Sequence, residues 1–525
     1  MRAYTSAQSK ALDKAAQAQG IAGFELMRRA GMVAFQHIGR HFKQARSLLV
    51  CAGKGNNGGD AWIVAGAAHA AGWGVHLWQV VGTPADLRGE ASQARDWAFA
   101  QGLETRLIDR TAALELLAKN SAGRADAMVL VDGVLGTGLS GPPRPGAADA
   151  IDCINASPWP CVSLDLPSGL DADNGAAPGA LVKSDLTVTF IGMKLGLLTG
   201  KGPDCAGKWV LENLGVDVAR LSEPGAVSSS RGARRVATAI KGCAVLSAPV
   251  DTLPARRPAA FKNEFGHVAV LAGDQGGGGA ALLAAESALR TGAGLVSLGT
   301  RALHVAAGLA RRPELMVRAV DDKAGALELL KGASVGLVGP GLGQGDWGRE
   351  LYCAVLEHSS SLASTGASID FVVDADALNL VASGQPLPAR SVITPHPGEA
   401  GRLLGCDTKA IEADRVGAVC ELAGRYSCIA VLKGAGTLIA DSAGLQYVCA
   451  LGNPGMASAG MGDTLAGIVA GVVAQQELSA FWVGRAVQLH AAAGDLAAAR
   501  YSQPGMVAAD VIAELPRLLG GDNAP

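Results

Sequence analysis

Along the chain, short apolar runs alternate with longer stretches of helical spacing, and run after run stops at a glycine or an acid. Residues 5–40 place Leu12, Ala15 and Ala16, then Phe24, Leu26, Met27 and Ala30, at helical intervals behind Thr5 or Ser6 as a cap. Two helices are therefore predicted ahead of the first buried strand. Ser47–Ala52 is continuously apolar, as a parallel strand covered on both faces must be. A polar glycine turn and an apolar-faced helix over 61–71 follow. Further strands are expected near 75–81, 128–131, 161–164, 186–191 and 208–211, and in the second half from His267–Leu271 onward. The run Leu465–Ala474 reads as a buried helix. Strand and helix alternate throughout, which predicts an α/β chain of two three-layer αβα domains. The first would be Rossmann-like over 1–225 and the second would occupy 226–525.

Composition supports this division. At 525 residues the chain exceeds one ordinary core. Only 4% of residues are aromatic and 71 are glycine, which suits close helix-on-sheet packing with many tight turns. After Gly215 the chain turns polar and basic (Ser228-Ser229-Ser230-Arg231, Arg234-Arg235), as a solvated linker does. The formal net charge of -2 leaves no electrostatic footprint for nucleic acid or an anionic membrane. Ten scattered cysteines form no C-x-x-C pair, which suits reduced thiols rather than disulfides or zinc. No apolar segment follows the first residues, and the longest apolar stretch is too short to span a bilayer. A cytoplasmic protein is expected, and its aliphatic, weakly charged helices suit a homo-oligomer.

Candidate chemistry lies at the strand exits. The turn Gly53-Lys54-Gly55-Asn56-Asn57-Gly58-Gly59-Asp60 contains a formal G-x-G-x-x-G. The next strand ends Val80-Val81-Gly82, without the acid that would hold a ribose, so an ordinary dinucleotide site is not expected. Asn56, Asn57 and Asp60 instead offer oxygens to a polar ligand. Two more strands exit into Asp132, followed by Gly136-Thr137-Gly138-Leu139-Ser140-Gly141-Pro142, and into Asp165-Leu166-Pro167-Ser168-Gly169. Ligands of open parallel sheets sit outside the carboxyl ends of strands, so these three exits point to one crevice. Asn57, Asp132 and Ser168 could surround a hard cation there.

In the second half, four glycines (Gly276–Gly279) follow a strand exit, and Gly339-Pro340-Gly341-Leu342-Gly343 follows another. His396 lies between two prolines, which leave its turn few directions. Lys433-Gly434-Ala435-Gly436-Thr437 offers a point charge and N–H groups to a phosphate, but its order is wrong for a Walker A loop. The stretch Gly452–Asp463 enters the buried helix through Gly460-Met461-Gly462-Asp463. A flexible turn into a helix leaves unpaired N–H groups at the positive end of the dipole, an anion hole. Asp463 can cap that helix or act as a base beside a bound phosphate.

In this order and combination, the motifs resemble a known family. Residues 1–220 are similar to NAD(P)H-hydrate epimerase domains, through Thr5-Ser6-Ala7-Gln8, Leu26–Gly31, Gly55–Asp60, Asp132–Gly138 and Asp165–Gly169. Residues 250–520 resemble ADP-dependent NAD(P)H-hydrate dehydratases of the ribokinase-like superfamily, through Gly339–Gly343, Val373–Asn379, Thr394–Glu399, Lys433–Thr437 and Gly460–Asp463. One departure is Phe261-Lys262-Asn263-Glu264, where the family has a His-Lys-Gly-Asp-like segment.

The resemblance implies a division of labour. The first domain would interconvert R and S hydrates of NADH and NADPH. Asn56 to Asp60, Gly136 to Pro142 and Asp165 would contact substrate, Asp165 would handle protons, and potassium would sit on Asn57, Asp132 and Ser168. The second would dehydrate the S form with ADP and magnesium, giving AMP and phosphate. Gly278, Gly341, His396 and Asp463 would hold the hydrate, and Lys433 to Thr437 with Gly462 the nucleotide. Asp463 would be the catalytic base. The rival is a vitamin or sugar kinase fused to a non-catalytic Rossmann-like binding module, because fold does not fix substrate. Asp132 and Asp165 argue against it.

Overall fold

The computed structural model describes residues 1–118, 128–221, 242–248, 250 and 253–520. The chain divides into two compact units, Met1–Cys243 and Ala244–Pro525. The boundary expected at 225, and the basic segment 228–235, lie outside the described residues.

In the first unit the strands are β1 (Arg2–Tyr4), β2 (Ser47–Ala52), β3 (Gly74–Gln79), β4 (Leu107–Ile108), β5 (Met128–Gly133), β6 (Cys161–Leu164), β7 (Leu186–Phe190), β8 (Met193–Lys194) and β9 (Lys208–Glu212). Seven form a parallel sheet ordered β4-β3-β2-β5-β6-β7-β9. The order reverses between β2 and β5, and ligands of doubly wound sheets bind outside such a switch point. Alternate residues of β2 feed opposite layers. Leu48 and Val50 pack with Trp62, Ile63 and Met27, whereas Leu49 and Cys51 pack with Leu130, Ile151 and Leu117. Each such buried aliphatic side chain contributes about 1.5–3 kcal/mol, so burial on both faces fixes the three-layer arrangement.

The helix after β2 spans Asn56–Ala70 and begins five residues earlier than the apolar pattern suggests. Its first turn is held by backbone rather than by a polar cap. A Cβ on Gly58 would lie 1.9 Å from the Gly53 carbonyl oxygen, so only glycine lets the turn close. At the start of the chain, β1 pairs with β8, and the helix Ser6–Ala18 follows behind a Thr5–Gln8 capping box.

The second unit carries all but the first residue of β10 (Cys243–Leu246), then β11 (His267–Leu271), β12 (Leu295–Thr300), β13 (Met316–Ala319), β14 (Val335–Val338), β15 (Asp370–Val373), β16 (Ser391–Ile393), β17 (Ile429–Leu432), β18 (Leu438–Asp441) and β19 (Gly444–Cys449). Their order is β13-β12-β11-β14-β15-β16-β17-β18-β19-β10, parallel except where β18 runs against both neighbours. Here the order reverses between β11 and β14. Helices Gly278–Arg290, Met461–Gln475 and Ala480–Tyr501 pack side by side on one face. Glycine permits their close approach, since a Cβ on Gly467 would meet the Ala284 carbonyl oxygen at 2.1 Å. The α/β class and the layering are those expected from the alternating pattern. Among the described residues no helix is long and apolar enough to cross a membrane.

Candidate active sites

At the switch point of the first unit lies a cavity of about 660 Å³. Its wall includes Asn56, Asn57, Gly58 and Asp60 from the turn after β2, the segment Gly136–Ser140 with Pro142 after β5, and Asp165 after β6. The three strand exits singled out in the sequence thus converge on one space. Gly59 is a packing position instead: its missing Cβ would meet the Met27 sulfur at 2.5 Å. Gly141, at φ 74, turns the chain without lining the cavity.

Asp165 stands in the left-handed region at φ 64, uncommon for a residue with a side chain and a frequent mark of functional positions. Its Oδ1 accepts from the Lys194 ammonium, from Thr189 Oγ1 at 3.2 Å and from the Phe190 N–H at 3.2 Å. Lys194 also donates to the Phe190 carbonyl at 2.8 Å and is nearly buried. Burial, then the Asp165 and Asp13 carboxylates, push the Asp60 carboxyl well above its usual range, against the pull of Lys194. Asp13, Asp60, Asp165 and Lys194 form one electrostatic cluster on this cavity. Lys194 carries no local signal in the sequence: it is the second residue of the two-residue strand β8, with no turn motif around it. Asp13 carries only a periodic signal: it stands four residues after Ser9 on the helix Ser6–Ala18.

Deeper in the wall, Asp132 is fully buried. It accepts from the Ser168 hydroxyl (2.6 Å), the Ser168 N–H (2.9 Å), the Ser163 hydroxyl (2.7 Å) and the Val134 N–H (3.2 Å). Burial raises its carboxyl, with those donors opposing. Asn57 Nδ2 donates to the Leu135 carbonyl at 2.6 Å, while its buried Oδ1 has no hydrogen-bond partner. An orphaned amide oxygen costs about 1–3 kcal/mol unless something positive meets it. The donor set of Asn57, Asp132 and Ser168 is all oxygen and suits a hard cation rather than zinc.

In the second unit the loops at the switch point interlock. The Gly273 and Asp274 N–H groups donate to the Pro340 and Gly341 carbonyls at 3.1 and 2.7 Å. Gly341 has φ 56, and its missing Cβ would lie 2.7 Å from the Gly277 oxygen. Gly278 opens the helix Gly278–Arg290 beneath His304, whose Nδ1 would lie 2.5 Å from an added Cβ. Gly341 lets two loops approach each other, and Gly278 makes room for the His304 ring from the helix Ala302–Arg311.

The helix carrying Asp463 begins at Met461, with Gly460 as its N-cap at φ 85 and no side-chain cap. Asp463 is therefore not the cap. It stands in the first turn, beside N–H groups that no side chain satisfies. Burial, then Asp374, push its carboxyl up to about 6, against the pull of Lys433. Lys433 Nζ donates to Asp374 Oδ1 at 2.9 Å and lies 3.7 Å from Glu399 Oε2. It would be 3.2 Å from a Cβ on Gly462, so the lysine and the uncapped helix end are adjacent. Burial alone would lower the Lys433 ammonium, but Asp374, Glu399 and Asp463 outweigh it and hold it above its ordinary value. The loop Lys433–Thr437 is supported from below: buried Arg415 donates to the Lys433 carbonyl at 3.1 Å, and Thr437 Oγ1 donates to the Gly434 carbonyl at 2.9 Å. Ala435 is exposed, and Gly436 has φ 66.

His396 caps the helix Pro397–Leu404. Its Nδ1 accepts from the Gly398 and Glu399 N–H groups at 3.0 and 3.4 Å, and its Nε2 lies 3.5 Å from Glu399 Oε1. Burial lowers its imidazole despite Glu399. His490 escaped the sequence reading, being one polar residue in an apolar helix. It is buried, Nε2 has no hydrogen-bond partner, and burial and then Lys433 push it down to about 4. The 261–264 departure forms a single turn, Lys262–Phe265, before Gly266 at φ 72.

Two family models match the chain: "YjeF-related protein N-terminus" over residues 23–196 and "NAD(P)H-hydrate dehydratase" over 268–517. The bifunctional NAD(P)H-hydrate repair enzyme of Coxiella burnetii is 39% identical over 98% of both chains. The chain belongs to the bifunctional NAD(P)H-hydrate repair enzymes. The Escherichia coli member of these repair enzymes is also 39% identical, over 96% of this chain and 91% of its own. Among solved structures, an ADP/ATP-dependent NAD(P)H-hydrate dehydratase from Bacillus subtilis, co-crystallised with ATP and Mg2+, is 30% identical. It covers 51% of this chain and 94% of its own, with a TM-score of 0.46. As in other repair enzymes of this family, an epimerase-type and a dehydratase-type domain share one chain.

Proposed function

We propose that the first unit interconverts the R and S hydrates of NADH and NADPH, and that the second converts the S hydrate to NAD(P)H with ADP, releasing AMP and phosphate. The observation that carries the second half is Asp463: a half-buried carboxylate in the first turn of an uncapped helix, next to Lys433. Hydroxide leaves poorly from the carbon beside the ring nitrogen. Asp463 takes the ring hydroxyl proton as that oxygen attacks the terminal phosphoryl group. The Met461 and Gly462 N–H groups and Lys433 face the developing charge. Phosphate then departs, pushed by the nitrogen lone pair, and the adjacent ring carbon gives up a proton to water, which restores the ring double bond of NAD(P)H. Gly278, Gly341 and His396 border the hydrate, and Lys433–Thr437 with Gly462 border the nucleotide. Magnesium would arrive on the nucleotide phosphates, which supply most of its ligands in such sites.

In the first unit, Asn57, Asp132 and Ser168 would hold potassium, which supplies fixed positive charge behind the substrate. The Asp165–Lys194 pair handles the hydroxyl proton. Asn56, Asn57, Gly58 and Asp60, with Gly136–Ser140 and Pro142, wrap the substrate. The protein would work in the cytoplasm as a homo-oligomer.

The test uses each hydrate separately and follows the absorbance of the reduced nicotinamide. ADP should restore NADH from the S hydrate at once and from the R hydrate only through the first unit. Asp165→Asn should block the R hydrate alone, and Asp463→Asn should block both. Recovery of NADH by the Asp463 variant would remove its role as base.

A further inference from the structure

The helix Ser6–Ala18 lies ahead of the residues matched by the family models, the first of which starts at residue 23. It nonetheless forms part of the cavity wall. Ser9, Asp13 and Gln17 stand at i, i+4 and i+8, one face of a helix, and all three line the cavity. Among the described residues the buried Ser9 Oγ has no hydrogen-bond partner. Leu12, Ala15 and Ala16 are buried, which fixes the helix in rotation. Its start is fixed in position as well: the Ser6 N–H donates to Asp173 Oδ1 at 2.5 Å, and β1 pairs with β8 so that Tyr4 stands directly beside Lys194. The chain segment that carries Asp13 is thus registered on the strand that carries Lys194.

Resting on the epimerase assignment above, we infer that Asp13 is the second proton-transfer group of that site, working with the Asp165–Lys194 pair. Epimerisation at a carbon bearing both a hydroxyl and the ring nitrogen needs one base and one acid. Asp165 takes the hydroxyl proton as the carbon–nitrogen bond breaks. The bonding pair passes to nitrogen, which receives a proton from Asp13, and the hydroxyl carbon becomes an aldehyde. Rotation about the neighbouring carbon–carbon bond presents the other aldehyde face. Closure reverses both transfers, returning one proton to Asp13 and the other to the new hydroxyl. Nothing is oxidised or consumed. Asp13 is suited to both directions, because partial loss of water in the cavity wall raises its carboxyl to about 6, with Lys194 lowering and Asp165 raising it, while the side chain stays accessible from the cavity. Ser9 Oγ is placed to hydrogen-bond the substrate from the same helix face.

The experiment compares Asp13→Asn and Asp13→Glu in the full chain. With the R hydrate, Asp13→Asn should lose about 100-fold or more in kcat, with KM changed by less than about threefold. Asp13→Glu should recover part of that loss, and ADP-dependent dehydration of the S hydrate should stay at the wild-type rate in both. An unchanged kcat, a rise in KM alone, or a Glu variant no better than Asn would overturn the assignment of Asp13. Failure of the wild-type protein to convert the R hydrate would overturn the epimerase assignment itself, a separate result.

Discussion

Lys433 Nζ donates to Asp374 Oδ1 at 2.9 Å, and that carboxylate is 1% exposed. With Glu399 and Asp463 nearby, one ammonium sits among several acids beside an uncapped helix end. A lone lysine there would favour any anion. Surrounded by carboxylates, it favours a ligand that brings its own cation or that must give up a proton, as the transfer of a phosphoryl group to a hydroxyl demands.

Removal of the lysine should be costly to the fold. Lys433→Met leaves Asp374 buried without its partner, and breaking such a pair costs about 3–5 kcal/mol. Thermal unfolding of the variant should show the loss, and adding Asp374→Asn should restore part of it. A melting curve unchanged by Lys433→Met would mean that the pair contributes nothing to stability.

Dehydration should depend on pH through Asp463. Its carboxyl is raised to about 6, so the base form is lost as the pH falls through that value, and kcat/KM for the S hydrate should decline tenfold per unit below it. The stability sign is opposite. The folded form holds its proton more tightly than the unfolded chain, so between the ordinary 3.8 and about 6 this group lowers stability as the pH rises. A rate that stays flat below pH 6 would exclude Asp463 as the base.

Potassium should act through Asn57. Asn57→Ala removes the unpartnered buried oxygen, and stimulation of R-to-S conversion by potassium over sodium should vanish. The rate should fall by at least the roughly 10–100-fold that even outer-shell partners of a metal command. Dehydration of the S hydrate should not change. Potassium stimulation that survives the substitution would place the ion elsewhere.

Much of this protein was legible along the chain because its chemistry sits on turns. Glycine turns and strand-end acids are local features, and Asn57, Asp60, Asp132 and Asp165 could be read as one crevice from the rule that parallel strands deliver their exits to one side. The motif Gly460–Asp463 likewise announced a helix entry. Local signals fail where the partner comes from elsewhere. His396 read as a ligand contact, and the structure also makes it a helix cap, because its Nδ1 meets two N–H groups that follow it. Gly59 read as part of a ligand loop, yet its lack of a side chain is demanded by Met27 from another helix.

The alternation of apolar runs and glycine turns determined two layered α/β units and the positions of their strand exits, since burial on both faces of a sheet dictates that pattern without reference to distant residues. Tertiary structure alone decided which charges share a site. Lys194 meets Asp165, Asp13 reaches the same cavity from the first helix, and His490 approaches Lys433 because sheet order and helix packing fold distant segments together. Electrostatic coupling follows distance in space, and residues 13, 165 and 194 acquire that closeness only when the sheet forms.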